Sequence, residues 1–567
     1  MAQLVLGPLL RHVDQTSATV WVETDAACTV QVLGHRSRTF CVAGHHYALV
    51  VVTGLEPGTV TPYEVLLDDA PVWPEPGSGW PPSTIRTGGT ADTVRVAFGS
   101  CRVTAPRGRN ENRRGLRRPA ALGVDALAAL AERLRNTPEE QTEAWPDVLV
   151  LLGDQVYADQ PSPRTAAWIE QRRGTGTELR DGVADFEEYT QLYREAWGDP
   201  AVRWLLSTVA SAMIFDDHDV HDDWNTSSAW RQRMQANEWW HDRIVGGLAS
   251  YWLYQHLGNL DPAALEQEDI YARLRTVDDG WPLLEEFAER ADAEADGAKG
   301  HRWSYRRDLG RTRLLVVDSR CGRVLDQSRA MVSGPEWDWL VQQCRNDGEV
   351  DHLLVATSLP LLLPAAIHHL EAWNEAVTDR GAWGRRAARA GELLRQGADL
   401  EHWAAFETSF RAMTGLLADV GAGRLGPAPL SITVLSGDVH FAYLAEAQFA
   451  PECGVQSRVH QAVSSPLRNP VQRAIQLVDR FARTRSGRRL TAALARSAGV
   501  APLDGIGWEL SAGPWFDNNL ATLLLDREQA RLVVETAWTP DGTAELLRCV
   551  LDRQLVGAEA AAESAHL

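Results

Sequence analysis

The chain has 567 residues, too many for one small hydrophobic core, so two or three domains are expected. Hydrophobic residues make up 44% and charged residues 23%, an ordinary balance for a globular protein in water. A formal net charge of -20 excludes a general nucleic-acid binder, which needs a cationic footprint; it leaves phosphorylated small molecules open, because a metal attracts phosphate locally.

The opening MAQLVLGPLLRHVDQT has no basic segment and no twin arginines ahead of a long apolar stretch. No run of about eighteen apolar residues occurs, so no transmembrane span is expected. Seven cysteines, at 28, 41, 101, 321, 344, 453 and 549, show no CxxC spacing and fit a reducing compartment better than a disulfide framework. The expected location is cytoplasmic.

Along the chain, ATVWVET from Ala18, CTVQVLG from Cys28 and HYALVVV from His46 read as short strands, and turn signals follow at Pro57-Gly58. This spacing predicts a small β-sandwich. Leu55, Pro57 and Tyr63 loosely resemble the corner of fibronectin type III domains, with the tyrosine later than usual. PVWPEPGSGWPP, Pro71 to Pro82, reads as a stiff linker, which predicts a domain over residues 1–90.

Beyond it, buried apolar runs alternate with amphipathic stretches, the mark of α/β layering. The runs VRVAF, VLVLL, AMIF, RLLVV, HLLVA and ITVL mostly lead into polar residues: Gly99-Ser-Cys-Arg, Gly153-Asp-Gln-Val-Tyr, Asp216-Asp-His-Asp, Asp318-Ser-Arg and Gly437-Asp-Val-His. Polar residues at the carboxyl ends of buried strands are where open α/β sheets bind ligands. The second domain is expected over 91–545. NNLATLLLD and ARLVVETAW are read as its closing strands, and 546–567 as a C-terminal tail, frayed at its end. Three stretches read as peripheral. Arg102 to Pro119 is arginine-dense, a solvated loop or a substrate clamp. Glu285 to Gly300 is an acidic helix end with a loop. Asn469 to Val500 is a basic amphipathic helix, a membrane-surface, lid or rim element.

In IFDDHDVHDDWN, Ile214 to Asn225, seven of the eight residues after Phe215 are Asp or His. So many carboxylates in one place repel unless something positive lies among them, and a multivalent metal site answers that need. Asp154 and Tyr157 in GDQVYAD offer a hard carboxylate and a phenol; a phenolate ligand favours Fe³⁺, which is acidic enough to displace its proton. Asp438 and His440 in SGDVH alternate onto one side of an extended backbone. Asp222 and Asp223 read partly as a helix start. Arg102 offers a bidentate phosphate contact, and Arg320 is either a phosphate contact or the partner of Asp318 in a core ion pair.

The ordered series FGSCR, GDQVYAD, DDHD and SGDVHF resembles the PhoD-like alkaline phosphatase/phosphodiesterase family of calcineurin-type metallophosphoesterases, over about residues 1 to 540. The resemblance implies a metallophosphoesterase-type αββα sandwich behind the β-sandwich. It assigns Cys101 and Tyr157 as Fe³⁺ ligands, Asp154 as the carboxylate shared between metals, and Asp217, Asp438 and His440 as further ligands. His218 takes the place of the phosphate-contacting histidine, with Arg102 beside it as a catalytic candidate. Asp159, Asp216, Asp219, Asp222, Asp318 and Arg320 are left as outer partners or substrate contacts. Iron paired with Ca²⁺ is implied, with Mn²⁺ or Zn²⁺ as substitutes. Two departures stand out: Ser358 where many relatives have a histidine ahead of a proline, and Asp222 and Asp223 where an asparagine is common.

The function implied is metal-assisted hydrolysis of phosphate mono- or diesters, of small-molecule, nucleotide or lipid type, as an alkaline phosphatase or phosphodiesterase. No phosphoenzyme is expected; Ser100, beside Cys101, is the hydroxyl that would carry one. The alternatives are a catalytically silent metal-stabilised scaffold and a phosphotriester or lipid-phosphate hydrolase.

Overall fold

The structure is a computed structural model describing residues 1–89, 93–105, 122–137, 144–174, 182–298, 300–325, 329–470, 482–540, 542 and 544–557. Ten strands form the N-terminal region: β1 (Leu4–Val13), β2 (Ser17–Thr24), β3 (Thr29–Val32), β4 (His35–Arg38), β5 (Phe40–Val42), β6 (His45–Thr53), β7 (Val60–Pro62), β8 (Val65–Leu67), β9 (Ala70–Trp73) and β10 (Thr84–Arg86). They make two four-stranded sheets, ordered β1-β2-β6-β5 and β4-β3-β8-β9, and a short β10-β7 pair. Alternate residues such as Val20, Val22, Val30, Val50 and Val65 share one core, as the two-residue period of strands dictates.

The remaining strands are β11 (Val94–Gly99), β12 (Val148–Leu152), β13 (Ala210–Ile214), β14 (Tyr305–Leu309), β15 (Thr312–Val316), β16 (His352–Ala356), β17 (Ser431–Ser436), β18 (Ala442–Phe449), β19 (Arg458–Val463), β20 (Ile506–Trp515), β21 (Asn519–Leu525), β22 (Ala530–Trp538) and β23 (Leu546–Val556). They form a six-stranded sheet, β13-β12-β11-β21-β22-β23, and a seven-stranded one, β14-β15-β16-β17-β19-β18-β20. Val96, Phe98, Val150 and Ile214 of the first meet Leu314, Val316, Leu354 and Leu435 of the second in one core. The intervening residues point outward: Ala97, Leu149 and Met213 toward one helical layer, Leu315, Leu353 and Ile432 toward another. Helix, sheet, sheet, helix is therefore the layering. It explains why these strands read as unbroken apolar runs, for they are buried on both faces.

The two regions are stitched together. Arg11 on β1 donates to the carbonyls of Tyr254 and Gln255 at 2.8 and 2.7 Å, and Tyr63 donates to Ser207 O at 2.6 Å. The expected linker is not a free spacer: Val72 and Trp73 belong to β9, Trp80 stacks on Trp204 at 5.2 Å, and Trp204 donates to Pro81 O. The expected tail needs correction. Residues 546–556 are the edge strand β23, paired antiparallel with β22, because Leu551 and Val556 pack under the sheet. Residues 558–567 lie outside the described residues.

Candidate metal centre

In the first sheet β11, β12 and β13 run parallel, so their carboxyl ends lie side by side and present Cys101, Asp154 and Asp216 to Asp219 at one edge. In the second, β15, β16, β17 and β19 are parallel and deliver Asp318, Ser358, Asp438 and Asn469. Backbone bonds knit the loops: Cys101 N to Gly153 O, Arg102 N to Asp154 O, Arg468 N to Cys101 O and Gly437 N to Ser358 O. Cys101, Asp154, Asp438 and His440 all have left-handed φ, from 54° to 64°, a costly conformation that concentrates at functional sites. Gly153, at φ 102°, lets the chain turn against Asp216; a β-carbon there would stand 2.5 Å from the Asp216 β-carbon.

Three ligand sets result, each with its donor atoms within 4.8 Å of one another: Cys101, Asp154 and His440; Asp154, Asp216 and Asp217; and Asp217, His218 and Asp222. Asp154 belongs to the first two and Asp217 to the last two, so the sets form a chain. Tyr157 donates to Asp154 Oδ2 at 3.1 Å, adding a phenol to the first set. The residues fit a metal by a direct test: Asp154 Oδ1 and Asp216 Oδ2 are buried with no hydrogen-bond partner among the described residues. Thiol, phenol, imidazole and carboxylate together suit a transition metal, and the carboxylate-only set suits a hard cation.

The electrostatics agree. Burial first, then neighbouring carboxylates, push Asp154 far above the ordinary carboxylate range, and burial does the same to the Cys101 thiol and the Tyr157 phenol. For all three, a bound cation would favour the charged form that burial disfavours. Burial works against His218, yet Asp159, Asp217 and Asp154 outweigh it and hold the ring protonated well above its usual value. Asp159 lies 3.0 Å from His218 Nδ1 and fixes the ring, which also packs on Tyr157 at 4.7 Å.

Several expectations change. Arg102 is not a phosphate contact: its Nε and Nη2 lie 2.9 and 2.8 Å from Asp125, its Nη1 donates to Ala196 O, and it is 3% exposed. Buried and paired with a buried aspartate, this arginine is turned away from the acidic edge. Arg320 pairs with neither Asp318 nor solvent. It reaches Asp216 and Glu401 at 2.5 Å each, and its Nη2 stands 3.1 Å from Asp217 and 3.9 Å from Asp438. Part of the positive charge demanded by the acidic run is therefore this guanidinium. Asp318 instead accepts from the backbone of Arg320, Cys321 and Gly322, and Asp219 from that of Asp154, Val156 and Asp216, so both shape loops. Asp222 and Asp223 do not start a helix. A short 3-10 turn spans Asp217–Asp219, the next helix begins at Ser228, and Asp223 N bonds Asp217 Oδ2. Of the arginine-dense segment, residues 106–119 lie outside the described residues, as do 471–481 of the basic helix; Arg485–Ser497 is helical.

Residues passed over in the sequence complete the centre. His402 sets Nε2 3.2 Å from Asp438 Oδ2 and Nδ1 2.7 Å from Glu371. Burial opposes ionisation of Asp438, but His402 and Arg320 carry it below the usual range. Asn469 donates to Tyr157 at 3.0 Å. Asn225, 1% exposed at φ 59°, keeps a buried Oδ1 with no partner among the described residues. Only Asn225 carried a local signal, at the end of the acidic run; the others meet the site from distant segments.

Known proteins resemble this chain in family and fold. Residues 1–85 match a domain of unknown function, DUF7800. No curated protein sequence matches the chain. The solved "Structure of PhoD" superposes with a TM-score of 0.57 at 11% identity, over 98% of this chain and 92% of that one, which shows a shared fold. The purple acid phosphatase PPD1 from yellow lupin (Lupinus luteus) seeds gives 0.48 at 10% identity, over 98% of this chain and 74% of that one. Residues 135–485, more than half of the chain, match the PhoD-like phosphatase family, and the protein belongs to that family.

Proposed function

We propose that the protein is a metal-dependent phosphoester hydrolase of the alkaline phosphatase D type, acting on phosphate mono- or diesters at the edge where the two sheets meet. The carrying observation is the chain of three ligand sets linked through Asp154 and Asp217, with buried carboxylate oxygens aimed into it. Cys101, Asp154, Tyr157 and His440 would hold Fe³⁺, and the carboxylates of Asp154, Asp216, Asp217 and Asp438 would hold Ca²⁺. Bound metal supplies an acidified water and charge neutralisation at phosphorus. His218, protonated and fixed by Asp159, binds a phosphate oxygen or gives its proton to the leaving group. Ser100 serves the backbone: it is fully buried and accepts from Asp438 N at 3.0 Å, which leaves it no path to a phosphoenzyme. The N-terminal region, read as a fibronectin-like sandwich over residues 1–90, would brace the catalytic domain over 91–545 through the Arg11 and Tyr63 contacts.

The test is elemental analysis and a visible spectrum of protein purified without added metal, followed by assays on p-nitrophenyl phosphate and bis-p-nitrophenyl phosphate with and without Ca²⁺. Near-stoichiometric iron with a broad phenolate-to-iron band, abolished in Tyr157→Phe, supports the assignment. His218→Gln should lower kcat by about 10²-fold or more. Zinc or manganese without the band would remove the iron assignment. Absence of both metal uptake and hydrolysis would overturn the function.

A further inference from the structure

The helix Ala365–Thr378 has two occupied faces. One directs Glu371 at His402 in the acidic site. The other carries Ala365, His368, His369 and Ala372 along the wall of a separate cleft of about 410 Å³, closed by the helix Arg485–Ser497 and by residues 500–503. His368 is 4% exposed, and its Nδ1 has no hydrogen-bond partner among the described residues. It sits between Phe410 and Trp508 at 4.7 and 4.9 Å. The wall is rigidly built: Trp508 donates to Leu363 O at 2.7 Å, and Arg411 donates to Ala501 O and Pro502 O.

The mouth has the opposite character. Arg488 and Arg496 flank His369 where the cleft runs into an adjoining hollow of about 280 Å³, which adds Arg485 and Arg489. Among the described residues no carboxylate pairs with any of these four arginines. The acid in the lining, Glu407, is already paired with Arg380 and Arg411. In a chain of net charge -20, four guanidinium groups are thus gathered at the mouth of an apolar, aromatic cavity holding one unsatisfied buried imidazole. Guanidinium groups bind carboxylate and phosphate through paired N–H donors, and like charges this close are relieved by an anion. An apolar cleft of this volume takes a small hydrophobic body.

We propose that this cleft is a second, non-catalytic binding site for an amphipathic anion: an acyl or aryl body packed on His368, Phe410 and Trp508, with a carboxylate or phosphate-like head on Arg488 and Arg496. It is separate from the acidic centre and does not depend on what that centre hydrolyses.

Isothermal titration of the full chain, below the concentrations at which the probes form micelles, tests it. The probes are dodecanoate, dodecylphosphonate, inorganic phosphate and dodecyltrimethylammonium. Dodecylphosphonate has no ester for the acidic centre to cleave. Saturable binding of either anionic amphiphile is expected, at least about tenfold tighter than the cationic one, and a preference between the two heads identifies the source. The exposed double variant Arg488→Gln/Arg496→Gln should weaken that binding about tenfold or more while p-nitrophenyl phosphate hydrolysis stays unchanged. Ala492→Phe, which fills the cleft, should abolish it. Equal binding of dodecyltrimethylammonium, unchanged affinity in the double variant, or an absence of saturable binding would each overturn the site.

Discussion

Asp216 and Arg320 form an ion pair at 2.5 Å with neither side chain exposed to solvent, at the point where the two sheets meet. The same guanidinium also serves Glu401 and faces Asp217, so one arginine compensates three carboxylates. Arg320→Met would strand those charges in the interior. The expected loss is about 3–5 kcal/mol of folding stability, read by urea unfolding of metal-loaded protein. Arg320→Lys should lose less, since it keeps the charge but not the fork. A Met variant as stable as the parent would mean that bound cations, not Arg320, hold the acids.

Among the described residues, Glu371 touches the centre only through His402, whose other nitrogen approaches Asp438. Partners of this kind orient ligands, and their loss costs metal affinity about 10–100-fold. Glu371→Gln should show that loss in chelator competition. The helix carrying it should keep its far-ultraviolet circular dichroism.

Gly153 combines φ of 102° with a β-carbon position 2.5 Å from that of Asp216. Gly153→Ala therefore strains the backbone and displaces either Asp154 or Asp216. A destabilisation of about 2 kcal/mol or more is expected, together with a fall in kcat larger than any change in KM. Thermal melts and steady-state kinetics at saturating metal separate the two effects.

Acid should unfold the protein partly through histidines remote from the centre. Burial, then Arg302, lowers His301 to about 4; burial, then Arg458 and Arg553, lowers His460 to about 4. Unfolded histidine titrates near 6.5. Between pH 6.5 and 4 the unfolded chain therefore binds protons that the folded chain refuses, and stability falls as pH falls through that window. His460→Leu should flatten the dependence by close to one proton there, measured as the slope of unfolding free energy against pH. An unchanged slope would show that His460 is already protonated in the folded protein.

Local sequence determined a good deal. Each buried apolar run became a strand of the two facing sheets, with β13 at the end of its sheet, and its polar terminus arrived at the shared edge, because a strand buried on both faces ends where polar groups first reach solvent or a cation. Glycine before Asp154 and before Asp438 announced the sharp turns. Asp154, Tyr157, Asp217, His218, Asp438 and His440 stood out as candidates in local motifs, and Cys101 became one through the family resemblance. Side-chain direction over long range was decided only by the tertiary structure. Arg102 sits beside a candidate ligand but turns to Asp125, because that buried carboxylate lies behind it. Arg320 reaches across to the other sheet's acids, and His402 arrives from a loop just ahead of the short turn Trp403–Ala405, with no motif of its own. Sequence can say which residues stand at a strand end. Only packing settles which partner each one meets, because ion pairs and hydrogen bonds form between segments whose separation along the chain carries no signal.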